Sequence, residues 1–182
     1  MSKAVLISIK PKWCELIASG KKLVEVRKTK PKLETPFKCY IYQTKMKWLF
    51  NLLRKAGFDN LADKLLMGLG KVIGEFVCDE IFPIRVFENG SIQDYMCHRM
   101  ERSCVPYDDI ANYIGNDHTG YGWHISDLVI YDKPKELREF RSYNVGLCID
   151  DNGYLMPTHE IKRPPQSWCY VEEVEDEQRE AD

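Results

Sequence analysis

Short apolar runs, many of them rich in β-branched residues, recur along the whole chain and predict strands. The run "AVLISI" at 4–9 is typical, because it is short, continuous and bounded by polar residues. Five further runs predict strands on the same grounds: 22–29, 37–44, 70–82, 120–132 and 167–174. Residues 84–87 could continue the strand at 70–82 after Pro83. The region 142–160 shows no clear period.

A helix is predicted directly after the first strand. Pro11 suits the first turn of a helix, where its missing N–H costs nothing. Trp13, Leu16 and Ile17 then form an apolar stripe at helical spacing. Gly20 is expected to end the helix as its C-terminal cap.

Two other segments have helical character. A short helix is expected to begin near Pro106. Residues 46–68 carry two leucine-rich stripes that "AGFDN" divides, which indicates a helical hairpin. This block interrupts a β-rich pattern, so we interpret about 44–68 as a helical insertion. Residues 172–182 form an acidic tail without a core-forming pattern and are expected to be disordered.

Several strands separated by short helices favour the α+β class, with a partly closed barrel or a strongly curved sheet. The length of 182 residues suits one domain with a substantial core and an insertion. We therefore expect a single domain over 1–171. No stretch approaches the roughly 20 apolar residues that a membrane helix needs, so no membrane partner is expected.

Charge and cysteine content bear on the kind of partner and on the cellular compartment. The formal net charge of −2 hides an asymmetry, because residues 1–71 hold 16 Lys and Arg against 5 Asp and Glu. Such asymmetry is typical of nucleic-acid contact, although the two halves could equally neutralise each other in the fold. The seven cysteines are irregularly spaced and no secretion signal precedes them. Reduced thiols in the cytoplasm are therefore expected.

The stretch "SGKKLVEVRKTKPK" carries the first candidate site. Strand alternation places Glu25 and Arg27 on one face, with Val24 and Val26 on the other. Arg27 offers a planar fork for a phosphate or a base edge, and Glu25 could hold it in place. By strict parity Lys22 falls on the opposite face, unless the strand begins after it. The alternative is a Glu–Arg pair on the surface of a strand, which contributes little.

Aromatic residues, and the cysteines and histidines, are candidates for further sites. Four tryptophans lie in a chain that is 12% aromatic, and aromatic rings beside Lys or Arg suit single-stranded nucleic acid. Burial in the core is the competing interpretation for Trp13, Trp123 and Trp168. Cysteine and histidine spacings do not match those of zinc sites, so no metal and no cofactor are expected. His124 is a possible acid or base, with a structural role as the alternative.

The start of the chain, "LISIKPKWCELIASGKKLVEVRK", resembles the ASCH domain, a small domain with a PUA-like β-barrel. The Gly-x-Lys-x-x-Glu-x-Arg signature of that family falls on Gly20, Lys22, Glu25 and Arg27, and the preceding Lys10 also fits. "GKVIGEF", "YGWHISDLVIYDKPKELREF" and "RPPQSWCYV" resemble later strands of the family. The resemblance implies a cleft beside the barrel that binds RNA.

Some relatives in that family are hydrolases that remove an acetyl group from an acetylated cytidine nucleoside by means of Thr, Lys and Glu. The Lys of that set resembles Lys22, and Glu75 is a candidate for the carboxylate. The nucleophilic Thr falls where this chain has Glu25, and a carboxylate is a poor replacement for a hydroxyl nucleophile. Thr29 and Ser8 are nearby hydroxyls.

Three functions follow, in order of preference. The first is a domain that binds RNA or a nucleotide, with Lys10, Trp13, Lys22, Glu25 and Arg27 around the ligand. The second is a hydrolase acting on a modified nucleoside or on RNA, with catalytic Lys22, Glu25 and Glu75. The third is a protein-interaction module that docks a partner through 44–68 or the acidic tail.

Overall fold

The computed structural model describes residues 2–45, 55–57, 68–93, 97–149 and 153–174. Most of the predicted insertion at 44–68, and the tail from 175 onwards, lie outside the described residues. The ten described strands are β1 (Lys3–Ile9), β2 (Val24–Arg27), β3 (Phe37–Gln43), β4 (Val72–Cys78), β5 (Ile81–Arg85), β6 (Thr119–His124), β7 (Ser126–Lys135), β8 (Arg141–Ile149), β9 (Leu155–Glu160) and β10 (Trp168–Glu172). The described helices are α1 (Pro11–Ala18), α2 (Cys97–Glu101) and α3 (Tyr107–Ile114), with a 3₁₀ turn at Leu137–Glu139.

The strands form a seven-stranded sheet in the order β7-β4-β3-β1-β10-β8-β9 and a three-stranded sheet in the order β2-β6-β5. Within the large sheet β1 runs parallel to β3, and its other neighbour, β10, is antiparallel to it. Strand β1 lies in the middle of this sheet and is covered on both sides, which explains its continuous apolar sequence. This is an α+β fold with a partly closed arrangement of strands, as predicted.

Three apolar clusters fill the interior. The first joins the two sheets, because Ile7 and Cys39 of the large sheet share it with Trp123 of the small sheet and Ile17 of α1. The second packs the small sheet against α3. The third covers the opposite face of the large sheet and includes Phe140. Alternate residues of β1 enter the first and third clusters, so this strand connects the two layers of the core.

Two predicted strands are each divided in the structure. The run 70–82 becomes β4 and β5, and the run 120–132 becomes β6 and β7. In both cases the two parts belong to different sheets. Only Ile125 separates β6 from β7. Pro83 does not break β5 but lies within it, which is tolerated because β5 is an edge strand of the small sheet.

The region without a clear period, 142–160, contains most of the β8–β9 hairpin, which the sequence interpretation missed. The helix at α1, the helix that follows Pro106 and the strands β1, β2, β3 and β10 lie where the sequence predicts them.

Candidate ligand-binding cleft

The turn between α1 and β2 places the signature residues. Gly20 has a φ of +69°, a conformation that glycine adopts without the steric cost of a Cβ. The backbone N–H groups of Lys21 and Lys22 both donate to the carbonyl of Leu16, at 2.9 Å. Strand β2 then begins at Val24. Because Lys22 precedes the strand, alternation does not constrain its side chain.

Lys22 is a buried lysine, with 1% of its surface exposed. Its Nζ donates to the carbonyl oxygens of Val24 at 2.8 Å and Ser103 at 2.7 Å. The third contact is an ion pair of 3.2 Å with Glu25 Oε2. An ammonium group has three N–H donors, so these partners account for all of them.

The turn that follows α2 supplies one of those partners. The backbone N–H groups of Leu23 and Val24 donate to the carbonyl of Arg102 at 2.8 and 3.2 Å. Ser103 is fully buried, and its Oγ accepts a hydrogen bond from the N–H of Val105 at 3.2 Å. The turn is thus attached to the segment that holds Lys22. Sequence reasoning did not find Ser103, because its contribution is a backbone carbonyl far along the chain.

Glu25 and Arg27 form a second buried ion pair beside the first. Arg27 Nη2 lies 3.0 Å from Glu25 Oε1 and donates to the carbonyl of Ser8 at 2.7 Å. Arg27 Nη1 donates to Ser167 Oγ at 3.4 Å. Both side chains are less than 10% exposed, so the interpretation as an exposed surface pair is wrong. The Nε of Arg27 is buried and has no hydrogen-bond partner among the described residues.

Lys22, Glu25 and Arg27 together form what we call the floor. One carboxylate faces two cations, so the floor carries one net positive charge. Charge that is removed from water acts over a longer range than the same charge on an open surface. The floor therefore favours an anionic group above it.

The floor lies in a cleft of about 750 Å³. Lys10 and Trp13 line the same cleft, so the structure brings together the five residues predicted for ligand binding. Further lining residues come from the loops around β2, from α3 and from the approach to β10: Ser8, Val26, Lys28, Thr29, Thr44, Val105, Asp109, Ile110, Tyr113, Gln166 and Ser167. The α3 residues were missed, because the helical pattern gave no sign of the cleft that this helix faces.

Aromatic rings at the cleft lie close to lysines. Trp13 is half-buried, packs against the first core cluster, and has Lys12 Nζ 4.3 Å from its ring centroid. Tyr113 of α3 is exposed, with Lys28 Nζ at 5.3 Å. Such ring–cation neighbours suit the stacking of a base beside a phosphate.

Two other tryptophans are placed by the structure. Trp123 is fully buried, so core packing is the correct interpretation for it. Trp168 Nε1 donates to Thr29 Oγ1 at 3.1 Å, which orients the hydroxyl of a cleft residue. Trp48 lies outside the described residues.

Glu75 is placed away from this cleft. It lies on β4, where Lys38 Nζ is 3.2 Å from its Oε1 and the hydroxyl of Tyr131 donates to its Oε2 at 2.5 Å. It is not among the residues that line the cleft. The predicted grouping of Glu75 with Lys22 and Glu25 is therefore corrected: Glu75 neutralises Lys38 beside the other face of the sheet.

Two titratable groups near the first core cluster are also defined. Burial, followed by the negative charge of Glu25, raises the pKa of the Cys14 thiol to about 12, so this thiol is protonated at neutral pH. His124 forms a 2.7 Å contact between its Nδ1 and Asp79 Oδ1 and does not line the cleft.

Among the described residues, no group of three or more His, Cys, Asp and Glu side chains is arranged to hold a metal ion.

Comparison with solved structures identifies the architecture. A single-residue variant of the ASCH protein from Zymomonas mobilis superposes with a TM-score of 0.58 at 18% sequence identity, over 94% of this chain and 91% of that chain. The chain has the ASCH-domain fold. A second variant of the same protein gives a TM-score of 0.57 at 18% identity, over 93% and 88% of the two chains. The unsubstituted protein gives 0.54 at 17%, over 93% and 87%.

No protein-family model and no curated protein matches the chain. The ASCH fold is thus shown by structural similarity alone. No described helix has the length and hydropathy to cross a bilayer.

Proposed function

We propose that the cleft binds a short segment of single-stranded RNA, with one nucleotide held over the floor. The observation that carries this proposal is the buried floor of two cations and one carboxylate, whose excess positive charge faces the cleft. Lys10 and Lys28 add further positive charge at its exposed margin. Phosphate groups are the natural partners of such an arrangement.

The shape of the cleft favours one nucleotide over a duplex. Its volume of about 750 Å³ falls within the range of small-molecule sites. Trp13 and Tyr113 offer aromatic surfaces for base stacking, which single-stranded segments use and paired bases cannot. The net charge of −2 for the whole chain also favours local attraction at the cleft over broad attraction to a duplex.

The bonding of the floor favours binding over hydrolysis. All three N–H groups of Lys22 and both carboxylate oxygens of Glu25 already have protein partners. Catalysis by Lys22 as a base would require these contacts to break. Glu75 is separated from them. The hydroxyls of Thr29 and Ser8 line the cleft, so hydrolysis of a modified nucleoside is the alternative that the experiment must test.

The proposal is tested by fluorescence anisotropy with a labelled single-stranded RNA, competed by nucleoside monophosphates and by duplex RNA. We expect Trp13→Ala to weaken binding by about 1–3 kcal/mol, because one stacking surface is lost. Lys10→Ala should weaken binding and lower the salt dependence of the affinity, because one phosphate contact is lost. Lys133→Ala is the matched control, since this exposed lysine lies on β7, away from the cleft.

Circular dichroism of each variant checks that its fold is retained. Affinity that is independent of salt and unchanged in Trp13→Ala would contradict the proposal. An acetylated cytidine nucleoside incubated with the protein should not be turned over. If the protein does hydrolyse this nucleoside and Lys22→Met abolishes the hydrolysis, the protein is a hydrolase and the binding proposal is wrong.

A further inference from the structure

The β8–β9 hairpin extends past the rest of the large sheet. Strand β8 pairs with β10 at one position, Ser142 opposite Val171. From there to Ile149, its strand partner among the described residues is β9. We call residues 142–149 and 153–158 of this hairpin the arm. A two-stranded hairpin alone is marginally stable in water, so the arm needs additional contacts.

One face of the arm is apolar and exposed. Leu147 and Ile149 alternate along the regular part of β8 and therefore point to the same side, and Val145 lies next to them, where the strand register is irregular. The strand register places Leu155 opposite Ile149 and Pro157 opposite Leu147, which adds them to that side. The exposed fractions are 61% for Val145, 72% for Leu147, 68% for Ile149 and 66% for Leu155. Neighbouring large apolar residues of a folded chain are seldom exposed to this extent without an interaction role.

The described strands of the arm carry no charged side chain. Residues 142–149 and 153–158, "SYNVGLCI" and "GYLMPT", contain no Asp, Glu, Lys or Arg, and the two acidic residues of the connection, Asp150 and Asp151, lie outside the described residues. The apolar face itself therefore offers a nucleic acid or a charged peptide no complementary side chain. The opposite edge strand of the sheet, β7, is different, since its sequence "SDLVIYDKPK" carries four charged residues. Exposed edges usually carry such charges.

The base of the arm is fixed to the sheet. Both contacts are to Glu172 of β10: Arg141 Nε lies 3.1 Å from its Oε2, and His159 Nδ1 lies 3.6 Å from its Oε1. The arm is thus oriented before any partner arrives, which lowers the entropy cost of association.

We propose that the apolar face of the arm is a dimerisation surface that packs on the same face of a second copy of this chain. Two identical apolar faces related by a two-fold axis complement each other without charges. Val145, Leu147, Ile149 and Leu155, which are 61 to 72% exposed, offer on the order of 500 Å² per copy. An interface of standard size buries about 800 Å² on each partner, so this face supplies more than half of one side.

The geometry favours packing of faces over joining of edges. Strand β9 is the last strand of the sheet, and Pro157 removes one N–H from it. A strand that adds to an edge needs those donors. The second copy is therefore expected to cover the apolar face, with the two sheets remaining separate.

The test is sedimentation equilibrium of the full chain over a wide concentration range. We expect the mass to rise from 21.3 kDa towards twice that value. Leu147→Lys and Ile149→Lys should each weaken the association at least tenfold, because each places a charge in the apolar interface. Val129→Lys is the matched control, since Val129 is 47% exposed on β7, the opposite edge strand. It should leave the association unchanged.

Circular dichroism distinguishes a lost interface from a lost fold, and all three side chains are exposed enough to accept lysine. A mass that stays at 21.3 kDa at every concentration would overturn the proposal. So would a dimer that persists in both arm variants, or one that only Val129→Lys disrupts. RNA binding is measured separately on the same variants and should not change, because the arm contributes no residue to the cleft.

Discussion

The floor of the cleft buries charged side chains, whereas the arm exposes apolar ones, and each arrangement is the reverse of what an isolated soluble domain requires. Pairing offsets the cost of burying the charges of the floor. Glu25 lies between Lys22 and Arg27, and backbone carbonyls accept hydrogen bonds from both cations. On the arm, Leu147, Ile149 and Leu155 remain about two-thirds or more exposed, so the described part of the chain does not cover them in a comparable way. The comparison indicates that the floor is complete within one chain and that the arm is completed by another.

Removal of Glu25 is the change with the largest expected effect. Glu25→Ala would leave Lys22 and Arg27 buried beside each other without their carboxylate, which should lower the free energy of unfolding by about 3–5 kcal/mol. Urea denaturation measures this. Glu160→Ala is the control, because Glu160 is an exposed carboxylate near the base of the arm, and its loss should cost less than about 0.5 kcal/mol. Equal losses in the two variants would show that the floor contributes no special stability.

The same substitution in two places sharpens the contrast for apolar side chains. Leu6 is fully buried in β1, whereas Leu147 is 72% exposed. Leu6→Ala should destabilise the chain by about 2–5 kcal/mol, because it leaves a cavity. Leu147→Ala should change the stability of the monomer by less than about 0.5 kcal/mol. Urea denaturation at low protein concentration checks both values. A large loss for Leu147→Ala would mean that the arm is covered within the monomer.

Labelling of cysteine thiols has the smallest expected effect, because it is done on the protein without any substitution. Burial and the charge of Glu25 raise the pKa of the Cys14 thiol to about 12. Its thiolate therefore becomes abundant only as the pH approaches that value, and labelling at neutral pH should be very slow. Cys148 of the arm is half-buried and should be labelled faster. Mass spectrometry after peptide digestion measures both rates, and rapid labelling of Cys14 at neutral pH would contradict the buried position.

Local patterns predicted those parts of the fold that depend on local contacts. Alternation placed Glu25 and Arg27 on one face of β2, and the Pro11 start and Gly20 end defined α1. Alternation could not place Lys22, because that depends on where the strand begins. It also could not show that 70–82 and 120–132 each change sheets, since the apolar pattern continues through the bend.

Two groups of residues could not be predicted from the sequence, each for a different physical reason. Ser103 acts through its backbone carbonyl. Because every residue has such a carbonyl, the identity of residue 103 gives no indication of this role. Tyr143, Val145, Leu147 and Ile149 do alternate, but Cys148 obscures the pattern. Even if β8 had been predicted, alternation would have implied a buried face, which is wrong for the residues that the structure describes. Burial by a second chain is not encoded in the local period.

The position of β1 has a consequence for synthesis. Strand β1 is made well before one of its two neighbours, β10, which begins only at Trp168. Until that segment leaves the ribosome, one edge of the most buried strand has no native partner, and its apolar residues are exposed to wrong pairings. We expect the nascent chain to depend on chaperones that shield strand edges and to complete the large sheet only after β10 has been made.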